Sequence, residues 1–496
     1  MTKSHALGGA GLCLVLFLFS ACSILPEEYA VNAPMFHQML GWGGGEAPPD
    51  ESFGAQIVPA AGFSMGTFAE GLNSVRFLRP LSGGALLASQ PRAGTVWRLA
   101  PDSNGDGRSD EVRPLLEDLD RPHGLDVHDG WLYVAEGAAI GRIRIDAETG
   151  ETSGAYTRIV EGLPDGENHW TKTARIGPDG LLYVTVGSTC NVCIEEDERR
   201  AAMLRFQPDG SEPEIFARGL RNSVGFDWQP GTGALYATDN GRDLLGDDFP
   251  PCELNRVEEG QFYGWPFANG DNVPDPDFGA GQDERIATSV PPVHGFPAHN
   301  APLGITFLRH PSLPDAWQGA ALVALHGSWN RTSKDGYKVV SLHWGADGSI
   351  EQRDFIVGFE QDENVLGRPV DVAEGADGTV YVSDDYAGAI YWLKHDGSAA
   401  GGVAPAARAS SSTTPAKAGD ATAGAALWER HACASCHVGE AATAGVVIVP
   451  LQTLGDRYTP ATLADFLAAP TPPMPAFPLD TTERADLAAH LLRRFP

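Results

Sequence analysis

The stretch TARIGPDGLLYVTVGS, Thr173 to Ser188, decides the fold. Two apolar runs flank Pro178, Asp179 and Gly180, residue types that turn one strand back onto the next. The same order of strand, turn, strand, polar loop and strand occurs six times between Asn73 and Gly397. The other five are NSVRFL with GALLASQ and GTVWRLA; HGLDV with GWLYVAEG and IGRIRID; SVGFDWQPGTGALYATDNG with ELNRV; GITFL with ALVALHGS and YKVVSLHW; and VDVAEGADGTVYVSDD with GAIYWLKHDG. A spacing of roughly 40 to 65 residues is that of propeller blades, and ring closure of such sheets protects their edges and leaves a central channel. A β-sandwich would not repeat in this way. The fold class expected is an all-β six-bladed β-propeller over residues 56–397, followed by a small all-α domain.

Composition agrees with many short strands joined by turns: glycine and proline number 59 and 37. Lys+Arg total 35 against 65 Asp+Glu, a formal charge of −30, which leaves nucleic-acid binding without electrostatic support.

The C-terminal domain is read from Cys433 to His437, CASCH, the Cys-x-x-Cys-His pattern that attaches a c-type haem. Cys433 and Cys436 supply the thioethers and His437 one axial iron ligand. No lysine follows Lys417, so the second ligand is sought at Met474, inside the proline-stiffened PTPPMPAFP, or at His490 in a closing helical pattern. Met474 is preferred, because His490 reads as a helix-surface residue. Histidine–methionine ligation fills both axial positions and suits electron transfer. The alternatives are a redox dithiol and a zinc knuckle, the latter needing a second ligand pair that the segment lacks. Residues 398–419, rich in Ala, Ser, Thr, Pro and Gly, read as a flexible linker, and 420–496 as a monohaem cytochrome c domain whose last helix runs from Thr481 to Arg494, capped by Thr481 or Thr482.

At the amino terminus Lys3 precedes an apolar run from Leu12 to Ala21, the length of a signal-peptide core rather than a membrane span. Phe19-Ser20-Ala21-Cys22 resembles a bacterial lipobox, with Cys22 the lipidated residue, residues 1–22 the leader and 23–55 a connecting segment. Ser23 resembles the residue that sends such lipoproteins to the outer membrane. A periplasmic, lipid-anchored protein is expected, in an oxidising compartment that also suits haem attachment. Of the remaining cysteines, Cys190 and Cys193 are expected to form a disulfide and Cys252 to stay free.

The strings GENHWTKTARIGPDG, GLRNSVGFDW, DNGRDLLGDDFPPCELNRV with YGWP, LHGSWNR with GYKVV, and GRPVDV together resemble the soluble quinoprotein sugar dehydrogenases, most closely the sorbosone dehydrogenase branch. The resemblance covers the whole propeller and implies pyrroloquinoline quinone (PQQ) and calcium as cofactors. It implies His169 as general base, Arg221 and Asn222 in contact with the quinone oxygens, Gly241 and Arg242 as backbone calcium ligands, and Arg368 on a cofactor carboxylate. Val370 stands where the family has a second arginine, and His326 where it has a lysine; Arg331, Lys338 and His123 are the candidates to supply the missing cations. Cys252 stands where aspartate is expected. Asp102, Asn104, Asp106 and Asp110 resemble the start of a calcium loop, but Arg113 occupies the place of its last glutamate, so a calcium site and a solvated Asx-rich turn stay open.

The resemblance and the haem motif imply oxidation of an aldose, aldehyde hydrate or related alcohol, with electrons passing through haem c to a downstream acceptor such as a cytochrome or oxidase. The competing readings are a propeller hydrolase or lactonase, and a non-catalytic lipoprotein that binds ligands and relays electrons. Replacing Met474 by Ala should convert the low-spin haem spectrum to high-spin and shift its potential. An unchanged spectrum and potential would remove Met474 from the iron.

Overall fold

The computed structural model describes residues 45–166, 168–396, 419, 421–431, 433–434, 451, 454, 458, 460–467 and 479–495. The leader with Cys22, linker residues 398–418, and the haem residues Cys436, His437 and Met474 lie outside the described residues. The chain divides into two units, 1–405 and 406–496.

Six sheets of at least four antiparallel strands make the first unit a six-bladed β-propeller. Their innermost strands are Leu78–Pro80, Leu125–His128, Ala174–Ile176, Ser223–Trp228, Pro302–Phe307 and Pro369–Glu374, here numbered blades 1 to 6. TARIGPDGLLYVTVGS forms the first hairpin of blade 3, with Ala174 opposite Val184 and Ile176 opposite Leu182. Each blade interface has its own apolar cluster, because alternate residues of a strand face the two neighbouring blades. Between blades 2 and 3, for example, Tyr133, Ile140, Leu182, Val184 and Leu204 pack together.

The ring closes outside the sequence repeats. Blade 6 takes three strands from its own repeat, Pro369–Glu374, Val380–Asp384 and Ala389–His395, and its outermost strand, Phe63–Ala69, from before the first repeat. Met65 pairs with Leu393 and Ser64 with Lys394. Val58–Pro59 similarly extends blade 5 by pairing with Val357 and Ile356. Phe63 anchors the closing strand edge-to-face on Trp317 and Phe355, with ring centroids 5.1 and 5.0 Å away.

At the axis, Phe77, Val224, Leu303 and Val370 from blades 1, 4, 5 and 6 form a small apolar cluster. Val370 is fully buried there. An arginine at this position would place its charge among apolar neighbours.

In the second unit, helices Ala421–Arg430, Pro460–Phe466 and Thr481–Arg494 surround Leu427, Trp428, Cys433, Leu463, Leu487 and Leu491. Cys433 is buried. The last helix is capped by Asp480, not by Thr481 or Thr482: its side chain accepts from the Thr482 and Glu483 N–H groups, and Glu483 answers on the Asp480 N–H. This reciprocal box satisfies three amides at once, where a threonine one residue later would begin the helix a residue late.

Truncating Phe63 to Ala should cost about 3–5 kcal/mol through the lost burial and the cavity left at the closure. Denaturant titration of the propeller transition measures it; a loss under about 1 kcal/mol would show that closure does not depend on this anchor.

Candidate functional site

In each blade the second strand runs antiparallel to the first, so innermost strands begin, and second strands end, at the same mouth of the channel. Strand starts bring Arg76, His123, Lys172, Arg221 with Asn222, Asn300 and Arg368 to this mouth. Strand ends bring Ser188, Asn240 with Gly241, His326 and Asp385. His169 arrives on the loop before blade 3, in the left-handed region at φ 50°.

The imidazole of His169 is held in one tautomer. Its Nδ1 lies 3.1 Å from the Ser188 carbonyl oxygen, which can only accept, so Nδ1 carries the proton. The Ser188 hydroxyl donates to the Cys190 carbonyl at 2.8 Å and therefore accepts from the same Nδ1 at 2.9 Å. Nε2 is left with its lone pair. Burial, with Arg221 and Arg200 nearby, lowers the His169 pKa to about 3. Gly187 permits the packing: a Cβ there would sit 2.5 Å from the His169 Cβ and 2.9 Å from Asn222 Oδ1.

Arg221 is buried, and protein acceptors take all five guanidinium donors. Nε donates to the Asn191 carbonyl (2.9 Å), Nη1 to the carbonyls of Asn240 and Gly241 (3.0 and 2.9 Å), and Nη2 to Asn191 Oδ1 and Asp243 (2.9 and 3.1 Å). The expected direct donation from Arg221 to a quinone oxygen thus has no free N–H behind it; what Arg221 offers is a fixed charge and a planar face. The Asn222 side chain makes no hydrogen bond to the described residues and keeps its amide for a ligand. The Gly241 carbonyl spends one of its two lone pairs on Arg221. The Arg242 side chain is committed to Asp275 and Asp277.

Across the mouth runs the chain Arg76–Asp385–His326–Arg368. Arg76 pairs with Asp385 at 2.8 Å, and His326 Nε2 donates to the other oxygen of Asp385 at 2.9 Å. His326 Nδ1 in turn accepts from Arg368 Nη2 at 2.9 Å. Burial and the Arg368 charge lower the His326 pKa to about 4. His326 is therefore a neutral link and does not replace a lysine as a cation. Arg331 and Lys338 do not join this chain. Arg331 is turned to the 247–248 loop, donating to the Asp247 and Ala298 carbonyls and pairing with Asp248, and Lys338 pairs with Asp354 at 2.7 Å. His123 is at the mouth but is also neutral, its pKa pushed well below the usual range by burial.

The cations missing from the sequence reading are Arg76 and Lys172. Lys172 is almost fully buried, and burial lowers its pKa to about 8. Both occupy the strand-start position of Arg221 and Arg368, so superposing the repeats would have found them.

These residues fit a flat, multiply anionic ligand. Asn222 Oδ1, Asn240 Oδ1, His123 Nε2 and both amide atoms of Asn300 are buried here without hydrogen-bond partners, an arrangement that costs free energy until a polar ligand satisfies it. At the opposite mouth a cavity of about 530 Å³ has its principal charges paired already, Arg79 with Asp126 and Arg309 with Asp227.

The remaining candidates lie elsewhere. Asp102 accepts from the N–H groups of Gly105, Asp106 and Gly107, Asp106 from Arg108, and Asp110 from Ser103 and the Asn104 amide, forming a hydrogen-bonded Asx-rich turn. Cys190 and Cys193 form the expected disulfide, and Cys252 is a buried free thiol whose pKa burial raises to about 11. Among the described residues the one His/Cys/Asp/Glu trio within metal reach is Cys190, Cys193 and Glu195, and two of its members are in that disulfide.

A six-bladed propeller with a neutral imidazole, protonated at Nδ1, beside a clamped arginine is followed by a helical unit that buries Cys433 of the CASCH motif. Residues 133–392 match the family model described as Glucose / Sorbosone dehydrogenase, and 419–491 the model described as Cytochrome C oxidase, cbb3-type, subunit III. The chain belongs to the glucose/sorbosone dehydrogenase family and ends in a cytochrome c domain; family and domain imply PQQ and haem c. It is 32% identical over 300 residues to an uncharacterised protein of Borreliella burgdorferi, covering 58% of this chain and 79% of that one. It is 26% identical over 409 residues to a PQQ-dependent pyranose dehydrogenase of Coprinopsis cinerea, covering 68% of this chain and 54% of that relative, so it spans about half of that protein's length. The holo PQQ domain of a Coprinopsis cinerea pyranose dehydrogenase superposes with a TM-score of 0.59 at 23% identity, over 68% of this chain and 97% of that one, which shows the shared fold.

The neutral histidines make stability depend on pH. Folded His326 and His169 have pKa values near 4 and 3, against about 6.5 when unfolded, so their contribution is complete above about pH 6.5 and is lost as pH falls toward those folded values. Each adds up to about 1.4 kcal/mol per pH unit to the slope in that window. His326→Gln should flatten the slope by one proton's worth between about pH 4.5 and 6; an unchanged slope would mean that His326 is already protonated in the folded protein.

Proposed function

We propose that the propeller binds PQQ at the mouth bearing His169 and oxidises a hydroxyl group of an aldose, aldehyde hydrate or related alcohol, and that haem c takes the electrons onward. The observation that carries this reading is the fixed tautomer of His169, which presents an unprotonated Nε2 beside Arg221 and Asn222.

When bound, the quinone supplies a two-electron acceptor for the hydride of the substrate C–H bond. His169 Nε2 takes the hydroxyl proton, and the Ser188 carbonyl and hydroxyl, already on Nδ1, stabilise the imidazolium that results. Through neutral pH the low pKa keeps Nε2 unprotonated. Asn222 would supply a hydrogen-bond donor to the quinone, while Arg221 would stabilise developing negative charge through space from a site with little water. Arg76, Arg368 and Lys172 would provide the charge that holds the cofactor carboxylates, with His123 and Asn300 completing the polar lining. Calcium is assigned to the Gly241 and Arg242 carbonyls.

Cys433 and Cys436 would hold the haem, with His437 and Met474 as the residues that would ligate its iron. Each substrate releases two electrons and a haem carries one, so two transfers to a downstream cytochrome or oxidase complete a turnover. The covalent link between the units sets an effective haem concentration on the order of millimolar, so the first acceptor need not diffuse. Lipidation at Cys22 would hold the protein at a periplasmic membrane face. No helix among the described residues is long and apolar enough to cross a membrane.

The test is reconstitution of the full chain with PQQ and calcium, then a panel of sugars and aldehydes, with haem reduction as the signal. Substrate-dependent reduction is expected; no reduction with any substrate, despite bound PQQ, would end the dehydrogenase reading. His169→Ala should lower kcat by about 10²–10⁴-fold with the haem spectrum unchanged, and retained activity would remove His169 from the base role.

A further inference from the structure

The loop Cys190–Cys193 is joined to both halves of the candidate site. On one side the Cys190 carbonyl accepts the Ser188 hydroxyl at 2.8 Å, which turns that hydroxyl's lone pairs toward His169 Nδ1. On the other, Asn191 takes two of the five Arg221 donors, one on its backbone carbonyl and one on Oδ1. Asn191 is itself fixed by a reciprocal pair with Asp243: Oδ1 accepts from the Asp243 N–H at 2.7 Å, and Nδ2 donates to the Asp243 carbonyl at 3.1 Å. The Asp243 carboxylate then accepts from Arg221 Nη2, which closes the arrangement. Glu195 braces the loop from behind, accepting from the Thr189 N–H and hydroxyl at 2.6 and 2.8 Å.

The loop has little apolar burial to hold it, so the Cys190–Cys193 bond adds a covalent limit on its conformations to the polar contacts that fix Asn191. We infer that Asn191 is a positioning residue for the dehydrogenase reaction, and that the Cys190–Cys193 disulfide locks it against Arg221. Asn191 and Asp243 keep the guanidinium donors occupied, so that Arg221 stays a fixed planar cation and the donor role at the quinone passes to Asn222. The catalytic consequence rests on the proposed function; the clamp on Arg221 does not.

Reduction by a small dithiol is balanced: the S–S bond breaks, Cys190 and Cys193 each gain a hydrogen, and the reductant closes its own disulfide. The haem thioethers carry no S–S bond and are untouched by this exchange.

The experiment reads Arg221 directly. Full-length protein is labelled with phenylglyoxal, which modifies accessible guanidinium groups, and the labelled arginines are mapped by mass spectrometry. In the oxidised wild type Arg221 should be protected. In Asn191→Ala, and in the wild type after dithiol reduction, its labelling rate should rise at least tenfold. Asn191→Asp retains the oxygen acceptor and should restore most of the protection. Labelling of Arg221 that stays within twofold of wild type in both Asn191→Ala and the reduced protein would overturn the inference. In the reconstituted enzyme, Asn191→Ala should lower kcat about tenfold while KM for the sugar stays within threefold. An equal rise in KM with kcat unchanged would contradict a positioning role. A wild type whose Arg221 is protected but which oxidises no substrate would sink the dehydrogenase reading and leave the clamp standing.

Discussion

The pairing of Phe63–Ala69 with Ala389–His395 is the interaction on which the rest of this structure depends. Six blades packed face to face in a row would leave the outer faces of the first and last sheets exposed to water. Closing the ring with a strand from before the first repeat seats blade 6 against blade 1, and in the same step brings six strand starts round a single axis. Arg76 and Arg368, nearly three hundred residues apart in sequence, meet through Asp385 only because blade 6 is completed from the amino-terminal side of blade 1.

Convergence of strand starts would be electrostatically costly if each brought a full charge. The chain moderates that cost by alternating charged and neutral groups. Asp385 is held well below the usual carboxylate range by His326, Arg76 and Arg368, and His326 and His123 stay neutral because burial disfavours their protonation. Beneath them, Val370 and its three apolar neighbours close the axis. A second arginine at 370 would have to be desolvated there, whereas Arg76 reaches the same mouth from blade 1 with a carboxylate already in place.

The blade count, the disulfide and the haem motif were legible in the sequence because each is written locally: a turn between two apolar runs, two cysteines three residues apart, CASCH. The closing strand was not, because its partner lies more than three hundred residues away and it carries no repeat of its own. Site residues divide in the same way. Ordered motifs single out His169, Arg221 and Arg368, and all three lie at one mouth of the channel, but the protonation states of His326 and His123 depend on burial, which no motif records. Arg331 and Lys338 looked available because a sequence shows cations without their partners; Asp247, Asp248 and Asp354 are what occupy them. Thr481 and Thr482 similarly obscured Asp480, although the Asp-x-x-Glu spacing to Glu483 was there to be read.

Several local costs are borne at one mouth: His169 in the left-handed region, buried amide atoms on Asn222, Asn240 and Asn300 without partners, and a lysine whose charge is desolvated. None of these improves packing, and the opposite mouth, built from the other ends of the same strands, pairs its principal charges instead. A fold that concentrates unsatisfied polar groups at one end of a pseudo-symmetric channel is arranged for a ligand that satisfies them there. Under the proposed function, the same preorganisation would account for an Arg221 clamped on all five donors. A guanidinium that had to reorient during the reaction would lose part of its stabilising effect to that motion, whereas one fixed during folding delivers its charge without further rearrangement.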